Sequence, residues 1–339
     1  MADYRVLIAG CGGMANKWVE YALERSDTEI VGLVDISEAN AKKLAERHGL
    51  TAPFFTDVRE GARAASANLV FDTTIPEVHK TIALAAFEAG CDVMSEKPMA
   101  ATLADAEEVA AAAEAAGRFY AIMQNRRYLR QIRSYRNLLT DGTIGKVGFV
   151  SADFFIGAHF GGFRDAMKSP LILDMAIHTF DQARLITGAN PVSVYCHEFN
   201  PHGSWYDGNA AAICIFEMSD GSVFNYRGSW CAEGAPTSWE SSWRVNGTLG
   251  TAIWDGKSMP YAEVVKPAEG HVFMNEFERV EARPSDLARE GHDGCLDEMF
   301  AALSEGRKAE TDYTDNMMSM KMVFGALESA ALGQKIDIR

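Results

Sequence analysis

Three groups of residues in this 339-residue chain have types and spacings that could do chemistry. The first is Gly10-Cys11-Gly12-Gly13-Met14-Ala15, a G-x-G-x-x-A pattern set between an apolar run and an amphipathic one. Gly10 permits a tight turn, Gly12 lets the backbone approach a pyrophosphate, and Ala15 allows a helix to pack closely on a sheet. Gly13 and Met14 complete the loop. Twenty residues after Ala15 stands Asp35, at the end of the next apolar run. A carboxylate there accepts hydrogen bonds from ribose hydroxyls and repels a 2′-phosphate. Ile36 follows where a chain that prefers NADP often carries a basic residue. A glycine turn beside a surface Asp is the plainer reading. The strand, the helix and the N-terminal position together favour a dinucleotide, with NAD preferred.

The second group is Ser95-Glu96-Lys97-Pro98, which follows the apolar run 91–95. In a doubly wound sheet the carboxyl ends of the strands face the ligand crevice, so Lys97 is expected near the nicotinamide end. Partial desolvation beside a positive ring would pull its pKa down from about 10.4 toward neutrality, which suits proton exchange with an alcohol–ketone pair. Taken alone, a solvated lysine paired with Glu96 explains the residue better. The third group is Asp174, His178 and Asp181, at i, i+4 and i+7 on one helix face. A carboxylate one turn from a His can fix its tautomer, and the imidazole can shuttle a proton near neutral pH. The opposite face, Leu173, Ala176, Ile177, Phe180 and Ala183, reads as core. An ordinary polar helix face is one alternative. A metal site is another, but no H-E-x-x-H or other ligand set completes one, so no metal is expected.

These residues need elements to position them. Residues 5–10, 29–35, 68–74, 91–95 and 119–124 read as strands. Residues 14–25, 38–48, 77–89 and 102–116 read as helices, with Gly49, Gly90 and Gly117 as stops. Strands alternating with helices of this length predict right-handed βαβ units and a parallel sheet, an α/β Rossmann domain over 1–125. From 126 to 339 the pattern changes. Residues 146–156, 191–200, 211–218, 222–230, 238–246 and 251–255 read as closely spaced strands, with Asp220-Gly221 as a hairpin turn. One helix at 172–187 interrupts them, and helices return at 293–304 and 315–332. This predicts an α+β domain on a mostly antiparallel open sheet, for substrate binding and oligomerisation, with the last helix packing back on the Rossmann domain.

Composition narrows the function classes. Apolar residues make up 47% and the net charge is −15, so the chain is globular and lacks the basic footprint of a nucleic-acid or anionic-membrane binder. No run approaches the roughly 18 apolar residues of a membrane span. The N-terminus enters a strand at once with no secretory pattern, which predicts a cytoplasmic protein. The six cysteines are widely spaced without C-x-x-C, so free thiols are expected rather than disulfides or zinc. A sheet with one face bare of helices predicts a homo-dimer or homo-tetramer.

The order of motifs resembles the glucose–fructose oxidoreductase / inositol dehydrogenase (Gfo/Idh/MocA) family over essentially the whole chain. The glycine loop, Asp35, Thr74-Ile75-Pro76-Glu77-Val78-His79, Glu96-Lys97-Pro98 and Asp174-x-x-x-His178-x-x-Asp181 fall in family order. The resemblance implies that Thr74, Pro76, His79 and Glu96 join the glycine-loop residues, Asp35, Ile36 and Lys97 in binding NAD. It implies that Lys97 and His178, with Asp174, handle the hydroxyl proton of a sugar or polyol while the nicotinamide takes the hydride. Arg127, His159 and Arg164 are expected to join Lys97, Asp174 and His178 in binding that substrate; His159 and Arg164 lie on a Gly-rich segment before the helix. Trp205, Tyr206, Trp230, Trp239 and Trp243 could stack on sugar faces, but most are expected to be core or interface. Lys168-Ser169-Pro170-Leu171-Ile172-Leu173 stands where the family often has Gly-Gly-Gly-x-Leu, so the local pocket shape departs from the pattern.

The resulting expectation is an NAD-dependent dehydrogenase acting on a secondary alcohol of a sugar, glycoside or inositol. The alternatives are a glycoside hydrolase that recycles NAD through transient oxidation and elimination, and a non-catalytic nucleotide-binding protein. The Tyr-Pro-Thr-His segment of one hydrolase group is missing from the sequence. Lys97 and His178, which a non-catalytic relative would be expected to lose, are both present.

Overall fold

The apolar run Tyr4–Ala9 forms strand β1, and its last four residues are buried because neighbouring strands flank it on both sides. In the computed structural model, which describes residues 2–338, the chain divides into two units. Unit 1 holds Met1–Gln124 and His292–Met320, and unit 2 holds Asn125–Gly291 and Lys321–Arg339.

After β1, unit 1 continues with α1 (Ala15–Glu24), β2 (Thr28–Val34), α2 (Glu38–His48), β3 (Phe54–Phe55) and α3 (Val58–Ala64). Then come β4 (Leu69–Asp72), α4 (Pro76–Glu88), β5 (Asp92–Ser95), α5 (Leu103–Ala116) and β6 (Tyr120–Ile122). The strand order is β3-β2-β1-β4-β5-β6, all parallel. The order reverses between β1 and β4, which makes the loops after those two strands the crevice of a doubly wound sheet. Residues 54–55 and 58–64 are too short to show a period, so β3 and α3 are additions to the expected elements. Local chemistry sets several helix ends. The Ser37 and Thr102 hydroxyls cap α2 and α5, and Gly49 and Gly117 end them in the left-handed conformation.

Unit 2 opens with α6 (Arg130–Thr140), whose polar length hides an apolar stripe of Ile132, Tyr135 and Leu138. Next are β7 (Val147–Phe155), a π-helical turn over Leu171–Ala176, and α7 (Ile177–Thr187). The strands β8 (Pro191–Phe199), β9 (Ala211–Met218), β10 (Val223–Ser229), β11 (Ser242–Gly247), β12 (Gly250–Trp254), β13 (Tyr261–Val265) and β14 (Phe277–Glu281) follow. The chain then returns to unit 1 with α8 (Gly291–Glu305) and the first part of α9 (Tyr313–Leu332), and the end of α9 and β15 (Ile336–Asp337) belong to unit 2. The nine-stranded sheet has the order β14-β13-β12-β11-β7-β10-β9-β8-β15. It is antiparallel except where β10 pairs parallel with β7. Asp220-Gly221 does turn the β9–β10 hairpin, with Gly221 at φ +84° and the Asp220 carboxylate accepting the Ser222 N–H at 2.9 Å.

The alternative of an ordinary polar helix face for α7 does not hold, because every residue from Ile177 to Ile186 is buried. The polar side chains stay inside because unit 2 supplies their partners, as described below. Among the described residues no helix is long and apolar enough to cross a membrane, and no group of three or more His, Cys, Asp or Glu is arranged to hold a metal. All six cysteines are free thiols and only Cys231 is more than slightly exposed.

Candidate functional site

In unit 1 the glycine loop leaves β1 at Gly10, whose φ is +85°. A Cβ there would stand 2.8 Å from the Thr74 amide nitrogen and the Thr74 methyl, so only glycine fits this crossing between the β1 and β4 loops. Thr73 secures the crossing by donating its N–H to Ala9 at 2.8 Å and its hydroxyl to Gly10 at 2.6 Å. Gly12 and Gly13 differ. A Cβ on either meets open space. Nothing in the chain demands glycine there, whereas a phosphate brought against the backbone would. Met14 precedes α1 without a side-chain cap, so the first amides of α1 are not claimed by a capping side chain.

Asp35 follows β2 and closes this arrangement. One carboxylate oxygen accepts the Cys11 N–H at 2.7 Å and the other accepts the Ser37 N–H at 2.8 Å. The acidic side chain therefore shapes the glycine loop while keeping acceptor capacity on both oxygens. Ile36 beside it is 97% exposed, an apolar surface where a 2′-phosphate site would need a cation. This set of donors, open glycines and a ribose-grade carboxylate fits NAD. Cys11 does not offer a reactive thiol to the loop. Burial, then the Asp35 charge, pushes its pKa up to about 12.

The remaining expected cofactor residues cluster at the ends of β4 and β5. The Thr74 hydroxyl donates to Asp72 at 2.6 Å, and Pro76 begins α4. His79 is wholly buried, with Nδ1 at 2.8 Å from the Pro98 carbonyl and Nε2 at 3.2 Å from the Thr74 carbonyl. It staples the β4 loop to the Glu96-Lys97-Pro98 loop from beneath. Glu96 is also buried, with one oxygen accepting the Trp18 indole N–H at 2.8 Å and the other the Lys97 backbone N–H at 3.3 Å. Lys97, half-buried, begins at the carboxyl end of β5, on the same sheet edge as the glycine loop.

In unit 2, Asp174 falls within the π-helical turn and His178, buried, lies in the first turn of α7. A π turn widens the helix locally and re-aims the side chains it carries. Arg164 donates its Nε–H to Asp174 at 2.7 Å, so two expected substrate residues form one ion pair, with the guanidinium over the Phe160 and Phe163 rings. Arg127 is differently engaged. It makes a bidentate pair with Asp181, both bonds 2.6 Å, with side chains only 4% and 2% exposed. His159 is exposed, pairs with Glu233 at 2.7 Å and stacks on Trp205 at 3.7 Å. Of the aromatics, Tyr206, Trp230 and Trp243 are core, and Trp239 is 44% exposed.

Sequence reasoning missed Arg126. Its guanidinium is mostly buried, 3.3 Å from Glu240, and donates to the Trp239 carbonyl. Gln182 of α7 donates to the same Glu240 at 2.8 Å. Burial lowers the Arg126 pKa, against the pull of Glu240 and Asp174. The Arg126-Arg127 pair was a visible signal, because two adjacent cations entering an apolar fold need buried carboxylates.

The comparisons with known proteins match two separate stretches of the chain. The profile described as an oxidoreductase family with an NAD-binding Rossmann fold matches residues 4–124, and the GFO/IDH/MocA C-terminal domain matches 132–253. The 1,5-anhydro-D-fructose reductase of Ensifer adhaerens is 24% identical over 98% of this chain and 97% of its own. The D-glucoside 3-dehydrogenase of Escherichia coli K12 is 29% identical over 59% of each. An oxidoreductase from Agrobacterium radiobacter, crystallised with NAD+, L-tartaric acid and magnesium, shares the fold with a TM-score of 0.85 at 20% identity, over 99% of both chains. Both halves of the chain thus match domains of one family, and the protein belongs to the GFO/IDH/MocA family of NAD-binding oxidoreductases.

Proposed function

We propose that this protein is an NAD-dependent dehydrogenase that oxidises a secondary alcohol of a sugar, glycoside or cyclitol. The observation that carries the reading is within unit 1. A loop with the features of an NAD site and a lysine leave the carboxyl ends of strands in one sheet, at β1 and β5. The relatives named for 1,5-anhydro-D-fructose and D-glucoside chemistry support a carbohydrate substrate.

The oxidation removes a hydroxyl proton and a carbon-bound hydride from one CH–OH, giving a ketone, NADH and a proton. Bound NAD supplies the hydride acceptor. Gly10, Gly12, Gly13 and the start of α1 hold its pyrophosphate, and Asp35 takes a ribose. Lys97 receives the hydroxyl proton and His178 shares the transfer, with Asp174 orienting the imidazole or a neighbouring hydroxyl. His159 and Arg164 contact the substrate, and Arg164 also fixes Asp174. Arg127 acts on the pocket indirectly, since its guanidinium is committed to Asp181. The active form is a homo-dimer or homo-tetramer assembled through the exposed face of the large sheet, where Tyr195 lies opposite Ile215, with Ile213 and Phe149 nearby.

The test is an NADH absorbance screen with myo-inositol, D-glucose, D-xylose, 1,5-anhydro-D-glucitol and methyl α-D-glucoside, with products mapped by NMR. NADH accumulation with a ketone product is expected. Release of free sugar from the glycoside without net NADH would replace this reading with that of a glycoside hydrolase.

A further inference from the structure

We propose that His292 and Trp18 are positioning residues for Lys97, acting through the Glu96 carboxylate. The proposal rests on the reading of Lys97 as the proton-transfer group. Glu96 immediately precedes Lys97, and its side chain is 9% exposed. A carboxylate taken that far from water needs specific compensation. Its partners include three groups. Trp18 Nε1 donates to Oε1 at 2.8 Å, His292 Nε2 stands 3.6 Å from the same oxygen, and the Lys97 backbone N–H donates to Oε2 at 3.3 Å. Burial raises the Glu96 pKa, yet His292, Trp18 and Lys97 outweigh it and hold the carboxyl below its ordinary range. The anion therefore links the backbone at Lys97 to α1 and to α8.

Those two helices are themselves joined. Lys17 pairs with Asp293 at 2.7 Å, and Tyr21 donates to Asp297 at 2.9 Å. Helix α1 follows the glycine loop, and α8 comes from a distant part of the sequence. The arrangement holds the start of the Lys97 loop against the helix expected to receive the pyrophosphate. A displacement of about 1 Å at a reacting group can cost up to about 10²-fold in rate, so a loosened Lys97 backbone should be visible in kcat.

The experiment is a double-mutant cycle in the full chain, using whichever compound of the panel above turns over fastest. His292→Leu is expected to lower kcat about tenfold, with the dissociation constant for NAD changed less than about twofold. Trp18→Phe, which keeps an aromatic ring but loses the indole N–H and the fused five-membered ring, is expected to lower kcat in the same way. His292→Gln, which retains a donor, restores most of the loss. In a Lys97→Met background neither change has a further effect. A second readout needs no turnover. Backbone hydrogen exchange in the peptide containing Lys97 should be faster in His292→Leu than in the wild type. A wild-type kcat in His292→Leu overturns the proposal, and so does a loss that persists in the Lys97→Met background. If His292→Leu does not fold, His292→Asn, too short to reach Glu96, replaces it in the same cycle. The two readings fail differently. Full activity in Lys97→Met removes the proton-transfer reading itself, whereas an inactive Lys97→Met beside a normal His292→Leu removes only the positioning role.

Discussion

Asp181→Asn should destabilise the protein strongly, although Asp181 belongs to the helix pattern that marks the site. Its carboxylate receives two bonds of 2.6 Å from Arg127, and Arg184 stands 3.8 Å from one oxygen. All three side chains are buried. Removing the charge leaves the Arg127 guanidinium, away from water, facing a neutral amide where its bidentate carboxylate stood, while Arg184 keeps its bond to Asn190 at 3.0 Å. Breaking a buried ion pair on one side costs about 3–5 kcal/mol. The amide oxygen can still accept one of the two bonds, which places the cost near the lower end, about 3 kcal/mol. That is about a 10²-fold change in the folded-to-unfolded ratio and a fall in Tm of about 6–12 °C for a domain of this size. Scanning calorimetry and urea titration measure it. Arg127→Met should behave alike, and the double variant combining Arg127→Met with Asp181→Asn should lose much less than the two single effects added together. A Tm within about 2 °C of wild type for Asp181→Asn would refute the reasoning. So would an Arg127→Met protein of normal stability with a raised KM, because the arginine would then be serving substrate directly.

Three other outcomes are expected. Asp35→Asn keeps an acceptor for only one of the Cys11 and Ser37 amides and removes the charge that opposes a 2′-phosphate; two charges about 5 Å apart at a surface dielectric of about 40 interact by about 1.7 kcal/mol per charge product. The ratio of kcat/KM for NAD over NADP should therefore fall by more than tenfold, and an unchanged ratio would contradict the assignment. Cys11 should alkylate slowly with iodoacetamide at pH 7.5, because its thiol is buried and its pKa is pushed up to about 12, whereas the half-buried Cys231 should react first; mass spectrometry that finds Cys11 labelled earliest would reverse this. Light scattering should find a dimer or tetramer and Ile215→Glu should dissociate it, since Ile215 is 47% exposed on the sheet face. A wild-type 37.1 kDa monomer at micromolar concentration would remove that face as an interface.

What the residues reveal in advance follows from how local the determining physics is. The glycine loop, Asp35 and the βαβ alternation were legible because strand burial, helix caps and turn glycines act over a few residues. The second sheet was legible as closely spaced strand-like runs, and its hairpin as Asp220-Gly221. Helix α6 was not, because Arg130, Arg133 and Arg136 masked the stripe of Ile132, Tyr135 and Leu138. Strand β14, mostly exposed at the sheet edge, has no buried face to impose a pattern. The roles within the site were hardest to read. Arg127 and Asp181 are 54 residues apart and Arg126 and Glu240 are farther still, so only the fold pairs them. The partners of Glu96 likewise come from α1 and from α8, at the far end of the chain.

The most direct test of the central claim is steady-state kinetics of Lys97→Met, His178→Ala and the double variant with saturating NAD and the best alcohol of the panel. Each single change should lower kcat by about 10²–10⁴ while NAD still binds, as followed by fluorescence quenching. The double variant should be little worse than the poorer single one, because both groups serve one proton transfer. A near-wild-type kcat in either single variant would contradict the role given to that residue, and fully additive losses would contradict a shared proton.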